Sequence, residues 1–467
     1  MKVEQIYTGC LAEAAYYIES NGEAVIIDPL RETDEYVRIA NENNAKIKYV
    51  LETHFHADFV SGHLDLARKT GATIVYGPNA NPEYDIHVAQ DGEVLKVGNV
   101  TITVLHTPGH TMESSTFLLK DENGKDHAIF TGDTLFIGDV GRPDLAIKSD
   151  LTREDLAGYL FESLRNKIMT LADDVIVYPA HGAGSACGKN MSSETFDTLG
   201  NQKKFNYALR ADMSKEEFVE EVTTGLVDPP QYFPKNAMMN KLGYESFEKV
   251  MEKGKNGLSP EAFEEMANNS EAIMLDTRTK DQFRDGHVPN SIFIGLDGSF
   301  AVWVGTLITN INQEILIITD PGKEEETITR LSRVGYDNTI GYLEGGVDAW
   351  KAAGKELATI KQVTPNEMAE AYSDDVNVLD VRKKSEYDSE HIKGFGNFPL
   401  DFINRNMNEI DRGNHYYLHC KSGYRSMVAA SILQSRGFDV TDVADGFEAL
   451  ANTKLEKTEY VCPSTLL

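Results

Sequence analysis

The chain has 467 residues, 45 of them basic and 74 acidic, for a formal net charge of −29. That length exceeds what one hydrophobic core accommodates and points to about three domains. The charge disfavours nucleic acid and anionic membrane surfaces as partners, so an anionic substrate must be met by local arginines. The first twenty residues lack the basic start and apolar stretch of a secretory signal, and no stretch is long and apolar enough for a membrane span. Four scattered cysteines, Cys10, Cys187, Cys420 and Cys462, make no disulfide framework. A cytoplasmic protein is expected, its thiols each either buried or reactive.

Up to about residue 195, short β-rich runs alternate with turns: EAVIIDP, KIKYVLE, VTITVLH, AIFTGD and VIVYPAH. Candidate ligands follow these runs. His54, His56 and Asp58 lie in THFHADFVSGH, His110 in HTPGHT, Asp133 in FTGDT and His181 in YPAHG. One such histidine alone reads as a surface or hydrogen-bonded residue, but a set that follows strand ends can converge on one rim of a sheet. His63 reads as the start of a helix, GHLDLARKT, and so as structural. A polar, helix-patterned stretch over about 194–252 is broken by VDPPQYFP at 227–234, where Pro229 and Pro230 exclude a continuous helix. It reads as an appendage of the first domain.

In their order and spacing, THFHAD, TPGHT, TGDTLF and YPAHG resemble the metallo-β-lactamase superfamily. The resemblance implies an αββα sandwich over residues 1–252 with a metal site between loops at one sheet edge. Dinuclear zinc hydrolases of that superfamily carry HxHxDH. Here Phe59 stands in place of the last His, which removes a second-site ligand and sets an apolar ring where a cation would want a nitrogen. The remaining set is similar to the mononuclear iron branch, the persulfide dioxygenases, and this implies one Fe(II) per chain on His54, His110 and Asp133. Two imidazoles and one carboxylate with open positions is also the donor set expected of a non-haem Fe(II) oxygenase. His56, Asp58 and His181 are then supporting groups or vestiges, Asp58 fixing the tautomer of a ligand histidine.

Arg142, on the Gly-flanked loop FIGDVGRPDL at 136–145, is a candidate clamp for a substrate carboxylate. The segment resembles the one at which persulfide dioxygenases meet the thiol carrier; the competing reading is a salt bridge. Cys187, six residues past His181 and close to Lys189, is a candidate sulfur relay whose pKa that lysine would lower. A structural thiol is the alternative.

From about residue 257 the chain repeats itself. LDTRTKDQFRDGHV (275–288) matches LDVRKKSEYDSEHI (379–392), EILIITDPGKEEET (314–327) matches HYYLHCKSGYRSMV (415–428), and LEGGVDAW (343–350) echoes VADGFEAL (443–450). Two copies of one α/β domain are expected, at 257–357 and 363–457. HCKSGYRS (419–426) sets Cys420 between a strand and a helix-patterned stretch, where loop N–H groups and a helix N-terminus stabilise a thiolate or an anion. Four residues separate Cys420 from Arg425, against five in phosphatase loops. With Asp380, Arg382 and Gly446, this spacing resembles the rhodanese sulfurtransferases. The resemblance implies that Cys420 accepts sulfane sulfur, with Arg425 and the loop amides of Lys421, Ser422 and Gly423 holding the anionic sulfur and its sulfite or thiosulfate partner. The first copy is expected to carry Asp320 in place of Cys420 and to be inert, because a carboxylate carries no sulfane sulfur.

The whole order resembles the persulfide dioxygenase–sulfurtransferase fusions of bacterial sulfide detoxification. It implies that a low-molecular-weight thiol persulfide is oxidised by O2 to thiol and sulfite, and that sulfur passing through Cys420 yields thiosulfate. Fusion raises the effective concentration of the shared intermediate. A homo-oligomer is the expected assembly. Two alternatives stand beside this reading. A dinuclear thioester hydrolase of the glyoxalase II type has Phe59 against it, and a non-oxidative sulfur carrier or persulfide sensor has the intact ligand set against it.

Overall fold

The computed structural model describes residues 1–145, 151–226 and 228–462. They fall into two compact units, Met1–Glu248 with Ser332–Gly335, and Lys249–Leu331 with Tyr336–Leu467.

Within Met1–Glu248, two six-stranded sheets are described. The first runs in chain order through Lys2–Thr8, Glu13–Ser20, Glu23–Ile27, Lys46–Glu52, Thr73–Tyr76 and His87–Val88. The second is ordered Asp197–Thr198, Ile176–Pro179, Asp126–Gly132, Ser115–Lys120, Val100–His106 and Val94–Val97. The strand Glu13–Ser20 shows how the layers arise. Side chains alternate across a strand, so Ala14, Tyr16 and Ile18 enter the core between the sheets, where they meet Val104, Phe117 and Phe130. Ala15 and Tyr17 face the other way and pack with Tyr36 and Ile39 of helix Asp34–Glu42. Behind the second sheet, Leu118, Ile129 and Val177 pack against Ala157 and Leu160 of helix Arg153–Ser163 and Phe218 of helix Lys215–Thr223. The result is the expected αββα sandwich.

Strand direction positions the site. Lys46–Glu52 runs parallel to its neighbours Glu23–Ile27 and Thr73–Tyr76, and Asp126–Gly132 runs parallel to Ile176–Pro179. Val100–His106 is antiparallel to Ser115–Lys120, which is itself antiparallel to Asp126–Gly132. In the second sheet, therefore, the segments bearing His110, Asp133 and His181 leave strands at the same edge. In the stretch after residue 194, Pro229 and Pro230 fall between helices Lys215–Thr223 and Phe233–Leu242. Val227, the first residue of that breaker, lies outside the described residues.

The second unit carries the repeat as two five-stranded sheets of one strand order. They are Gly257–Leu258, Thr339–Leu343, Ile315–Ile318, Ile273–Asp276 and Ile292–Phe293, and then Lys361–Val363, Asp439–Val443, His415–His419, Asn377–Asp380 and Gly396–Asn397. All their pairings are parallel. The LDTR and LDVR motifs prove to be buried clasps: Arg278 meets Asp276 and Arg382 meets Asp380 at 2.6 Å, and each guanidinium also reaches a carbonyl eight residues on. Register corrects one expectation. Asp276 pairs with Ile318 and Asp380 with His419, so the residue equivalent to Cys420 is Thr319, and Asp320 matches Lys421. A threonine hydroxyl carries sulfane sulfur no better than a carboxylate does. No helix among the described residues is long and apolar enough to cross a membrane.

Candidate functional site

His54, His110 and Asp133 are buried, and their ligand atoms all lie within 4.8 Å of one another. Asp133 Oδ2 is 3.3 Å from His110 Nε2 and 3.9 Å from His54 Nε2, while Asp133 Oδ1 is 3.4 Å from His181 Nε2. Each imidazole is fixed from behind. The Thr53 hydroxyl donates to Asp28 at 2.8 Å and therefore accepts from His54 Nδ1 at 3.0 Å; His110 Nδ1 donates to the Arg142 carbonyl at 2.9 Å and His181 Nδ1 to that of Ala12 at 3.3 Å. With Nδ1 protonated, each Nε2 offers its lone pair to the cluster. Burial, reinforced by the neighbouring imidazoles, holds His54 well below the ordinary histidine range and so neutral. Both oxygens of Asp133 and His181 Nε2 are buried without a hydrogen-bond partner. Unsatisfied buried donors and acceptors are costly, and this set of converging lone pairs fits a cation.

His56 behaves differently. Its Nε2 lies 3.1 Å from Asp28 and 3.8 Å from Glu52. Burial works against its protonation, but Asp28, by charge and hydrogen bond, with Glu52 and Asp58, lifts it to about 10. Phe59 is fully buried with its ring 4.3 Å from that of His56. Asp58 and His181 approach to 3.4 Å, and with His56 they form a second group of close ligand atoms. His63 opens helix His63–Thr70 and is pushed down to about 3, by burial first.

Asn240 was not anticipated. From helix Phe233–Leu242 its amide nitrogen donates to the carbonyls of His56 and Phe59, both at 2.8 Å, and its oxygen accepts from the Ser61 N–H at 2.9 Å. It clamps the ligand loop. The signal available in the sequence was the pair Asn236 and Asn240, four apart on one helical face; in the structure both are fully buried.

The Arg142 guanidinium is taken up by Asp144 through two bonds of 2.7 Å and by the Ala186 carbonyl at 3.3 Å, so the clamp expected for substrate is already closed on a carboxylate of the chain. Its main chain does other work: the carbonyl holds His110 and the N–H donates to the Cys187 carbonyl at 3.0 Å. Cys187 is buried in a third group of close ligand atoms with Asp133 and His181. The expectation that Lys189 lowers its pKa is overturned. Burial first, then the charges of Asp58 and Asp133, push the thiol well up, while the Lys189 ammonium donates to the carbonyls of Glu221 and Thr224.

In the last domain Cys420 is buried at the end of strand His415–His419, and the Gly423 N–H donates to its sulfur at 3.1 Å. Helix Tyr424–Ser435 begins at once, so its N-terminal field reaches the sulfur. Arg425 pairs with Glu386 at 2.5 and 2.9 Å, and Lys421 approaches Glu448 at 3.6 Å. Gly446 closes the loop from beneath: at φ +63°, a Cβ there would lie 2.4 Å from the Cys420 carbonyl oxygen.

Residues 8–181 match the Metallo-beta-lactamase superfamily, and residues 259–353 and 364–453 each match the Rhodanese-like domain. The chain is 31% identical over 200 residues to "Persulfide dioxygenase ETHE1, mitochondrial" of Homo sapiens, across 42% of this chain and 70% of that protein. It is also 31% identical over 195 residues to "Hydroxyacylglutathione hydrolase GloC" of Haemophilus influenzae, across 37% of this chain and 86% of that protein. The solved metallo-beta-lactamase from Staphylococcus aureus subsp. aureus COL is 32% identical with a TM-score of 0.64, and the likeness covers 73% of this chain and 98% of that one.

Proposed function

Because the chain belongs to the metallo-beta-lactamase superfamily and carries two rhodanese-like domains behind that fold, we propose that it oxidises thiol persulfides at one Fe(II) and passes sulfane sulfur through Cys420. The observation that carries this reading is a donor set of two imidazoles and one carboxylate, with the place of a further histidine filled by Phe59. His54, His110 and Asp133 would hold the metal. Bound there, Fe(II) would supply the electrons that make dioxygen reactive toward the outer sulfur of the persulfide. The chain's own groups do the rest. Thr53 and the Arg142 carbonyl keep His54 and His110 in one tautomer, and the sandwich keeps bulk water from the buried cluster. Cys187 presents a protonated thiol beside Asp133; its proposed relay role requires loss of that proton. Arg142 would meet a substrate carboxylate by exchanging Asp144 for it.

The overall reaction consumes RSSH, O2 and H2O and yields RSH, sulfite and two protons. Cys420 attacks the outer sulfur of a second persulfide, releasing RSH and forming Cys420–SSH, which then gives that sulfur to sulfite, forming thiosulfate and restoring the thiol. The Gly423 N–H, 3.1 Å from Cys420 Sγ, would donate to that anionic sulfur, and Arg425 would join it by exchanging Glu386. We assign the protein to the cytoplasm, where a free catalytic thiol persists.

A second reading, a dinuclear thioester hydrolase, draws on the close group of His56, Asp58 and His181 and on the equal identity to the Haemophilus hydrolase. Oxygen uptake by anaerobically iron-loaded protein given a persulfide separates the two. Sulfite should accumulate in Cys420→Ser where wild type makes thiosulfate. Two zinc ions per chain, thioester cleavage and no oxygen uptake would favour the hydrolase.

A further inference from the structure

One peptide group in the thiol loop is held at both ends. The N–H of the Ser422–Gly423 peptide donates to Cys420 Sγ at 3.1 Å, and its carbonyl accepts from the Lys280 ammonium at 3.0 Å. Lys280 does not belong to the domain of Cys420. It is the first residue of helix Lys280–Asp285 in the preceding copy, within the same compact unit. The approach is close, since a Cβ on Gly423 would lie 2.9 Å from Lys280 Nζ. Other bonds between the two copies fix it. The Tyr424 hydroxyl donates to the Gly295 carbonyl at 3.0 Å, the Phe293 N–H to the Ser431 hydroxyl at 2.8 Å, and His287 Nε2 meets Gln434 Oε1 at 3.0 Å. The equivalent residue of the other copy, Lys384, is exposed and pairs with Asp388 at 2.7 Å, so the repeat alone does not account for the contact.

We propose that Lys280 is a positioning residue for Cys420, an inference that rests on the proposed role of Cys420 as sulfur carrier. A cation on the carbonyl of an amide draws electron density toward oxygen and makes the N–H at its other end a stronger donor. It also opposes a flip of the peptide that would turn the carbonyl toward the sulfur. The donor to the sulfur is thus sharpened by a residue of the preceding copy, where Thr319 stands in the place of Cys420. The other charged groups acting on the loop include Arg425 with Glu386 and Asp401, Lys421 with Glu448, Asp297 beside Tyr424, and the buried Asp442 with Arg284. All of them are retained when Lys280 alone is changed.

The test uses the full chain as wild type, Lys280→Met, Lys280→Arg and Cys420→Ser. Sulfur transfer from thiosulfate to cyanide is measured together with the pH profile of alkylation at Cys420, followed by peptide mass spectrometry. Lys280→Met should lower kcat/KM for thiosulfate about two- to fourfold and move the alkylation midpoint upward, and Lys280→Arg should recover most of both. An unchanged profile and kcat/KM in Lys280→Met would overturn the inference. So would equal losses in Met and Arg variants with an unmoved profile, which would mark a docking contact alone. Transfer that is the same in wild type and Cys420→Ser would overturn the reading of Cys420 itself, and the role of Lys280 with it.

Discussion

Asn240→Ala removes three buried hydrogen bonds from the ligand loop, those to the carbonyls of His56 and Phe59 and from the N–H of Ser61. Each bond contributes about 1 kcal/mol net, and each stranded buried group adds a desolvation cost, so the local penalty comes to about 3–5 kcal/mol. A chain of several domains does not unfold in one step, so hydrogen exchange at the loop is the informative assay. At about 1.4 kcal/mol per factor of ten, protection of the Ser61 amide should fall by about a hundredfold or more. Metal content should fall with it, since His54 lies two residues before the released segment and Asp58 lies within it. Asn240→Asp is the sharper control: it keeps the acceptor for Ser61 but turns a carboxylate oxygen onto two carbonyl oxygens, and should be worse than alanine. Ser61 protection within about threefold of wild type in the alanine variant, or an aspartate variant better tolerated than alanine, would refute the clamp.

Three further outcomes are expected. Phe59→His supplies the missing imidazole, so zinc reconstitution should raise metal content from about one to about two per chain and lower oxygen uptake; a stoichiometry that stays at one would mean that Phe59 is not what limits the site. Gly446→Ala drives a Cβ against the carbonyls of Cys420 and Lys421 at 2.4 and 2.5 Å, and at a positive φ, so sulfur transfer should drop about tenfold or more while oxygen uptake persists. Burial lifts Asp442 from 3.8 to about 6, with a 2.8 Å hydrogen bond from Gln362 offsetting part of the effect. A raised carboxyl pKa means that folding forces the charged form into an unfavourable place, a cost absent below pH 4 and complete above pH 6. Asp442→Asn should therefore stabilise the second unit at pH 7 by up to about 3 kcal/mol and make no difference near pH 3.5, as read by thermal unfolding at the two pH values.

Which parts of the site were legible follows from how each residue is held. His54, His110, Asp133 and His181 each sit a residue or a few past an apolar strand, and strands are visible as local patterns of side chains. Once the strand directions agree, residues just beyond their ends must meet at one edge. Asn240 lies 181 positions from Phe59, and Lys280 lies 142 positions from Ser422. A polar side chain that satisfies distant main-chain groups leaves at most a faint local mark, such as the four-residue spacing of Asn236 and Asn240, and that mark names no partner. Lys189 fails for the opposite reason, and Arg142 is met first by a carboxylate of the chain itself. They stand beside functional residues in sequence, yet nearness along the chain does not say which acceptor is closer in space, and Asp144 and the helix-end carbonyls won. The one-residue slip at Asp320 is of another kind, because the matched segments 314–327 and 415–428, counted from their first residues, already set Thr319 opposite Cys420. Matching the copies by residue type favours a charged residue opposite a reactive one, whereas pairing of Ile318 with Asp276 and His419 with Asp380 counts along the backbone and leaves Thr319 opposite Cys420. Chemistry carried by strand ends is therefore recoverable from sequence, while the groups that tune it across domains, as Lys280 does for the Gly423 N–H, are found only where the chain has already folded.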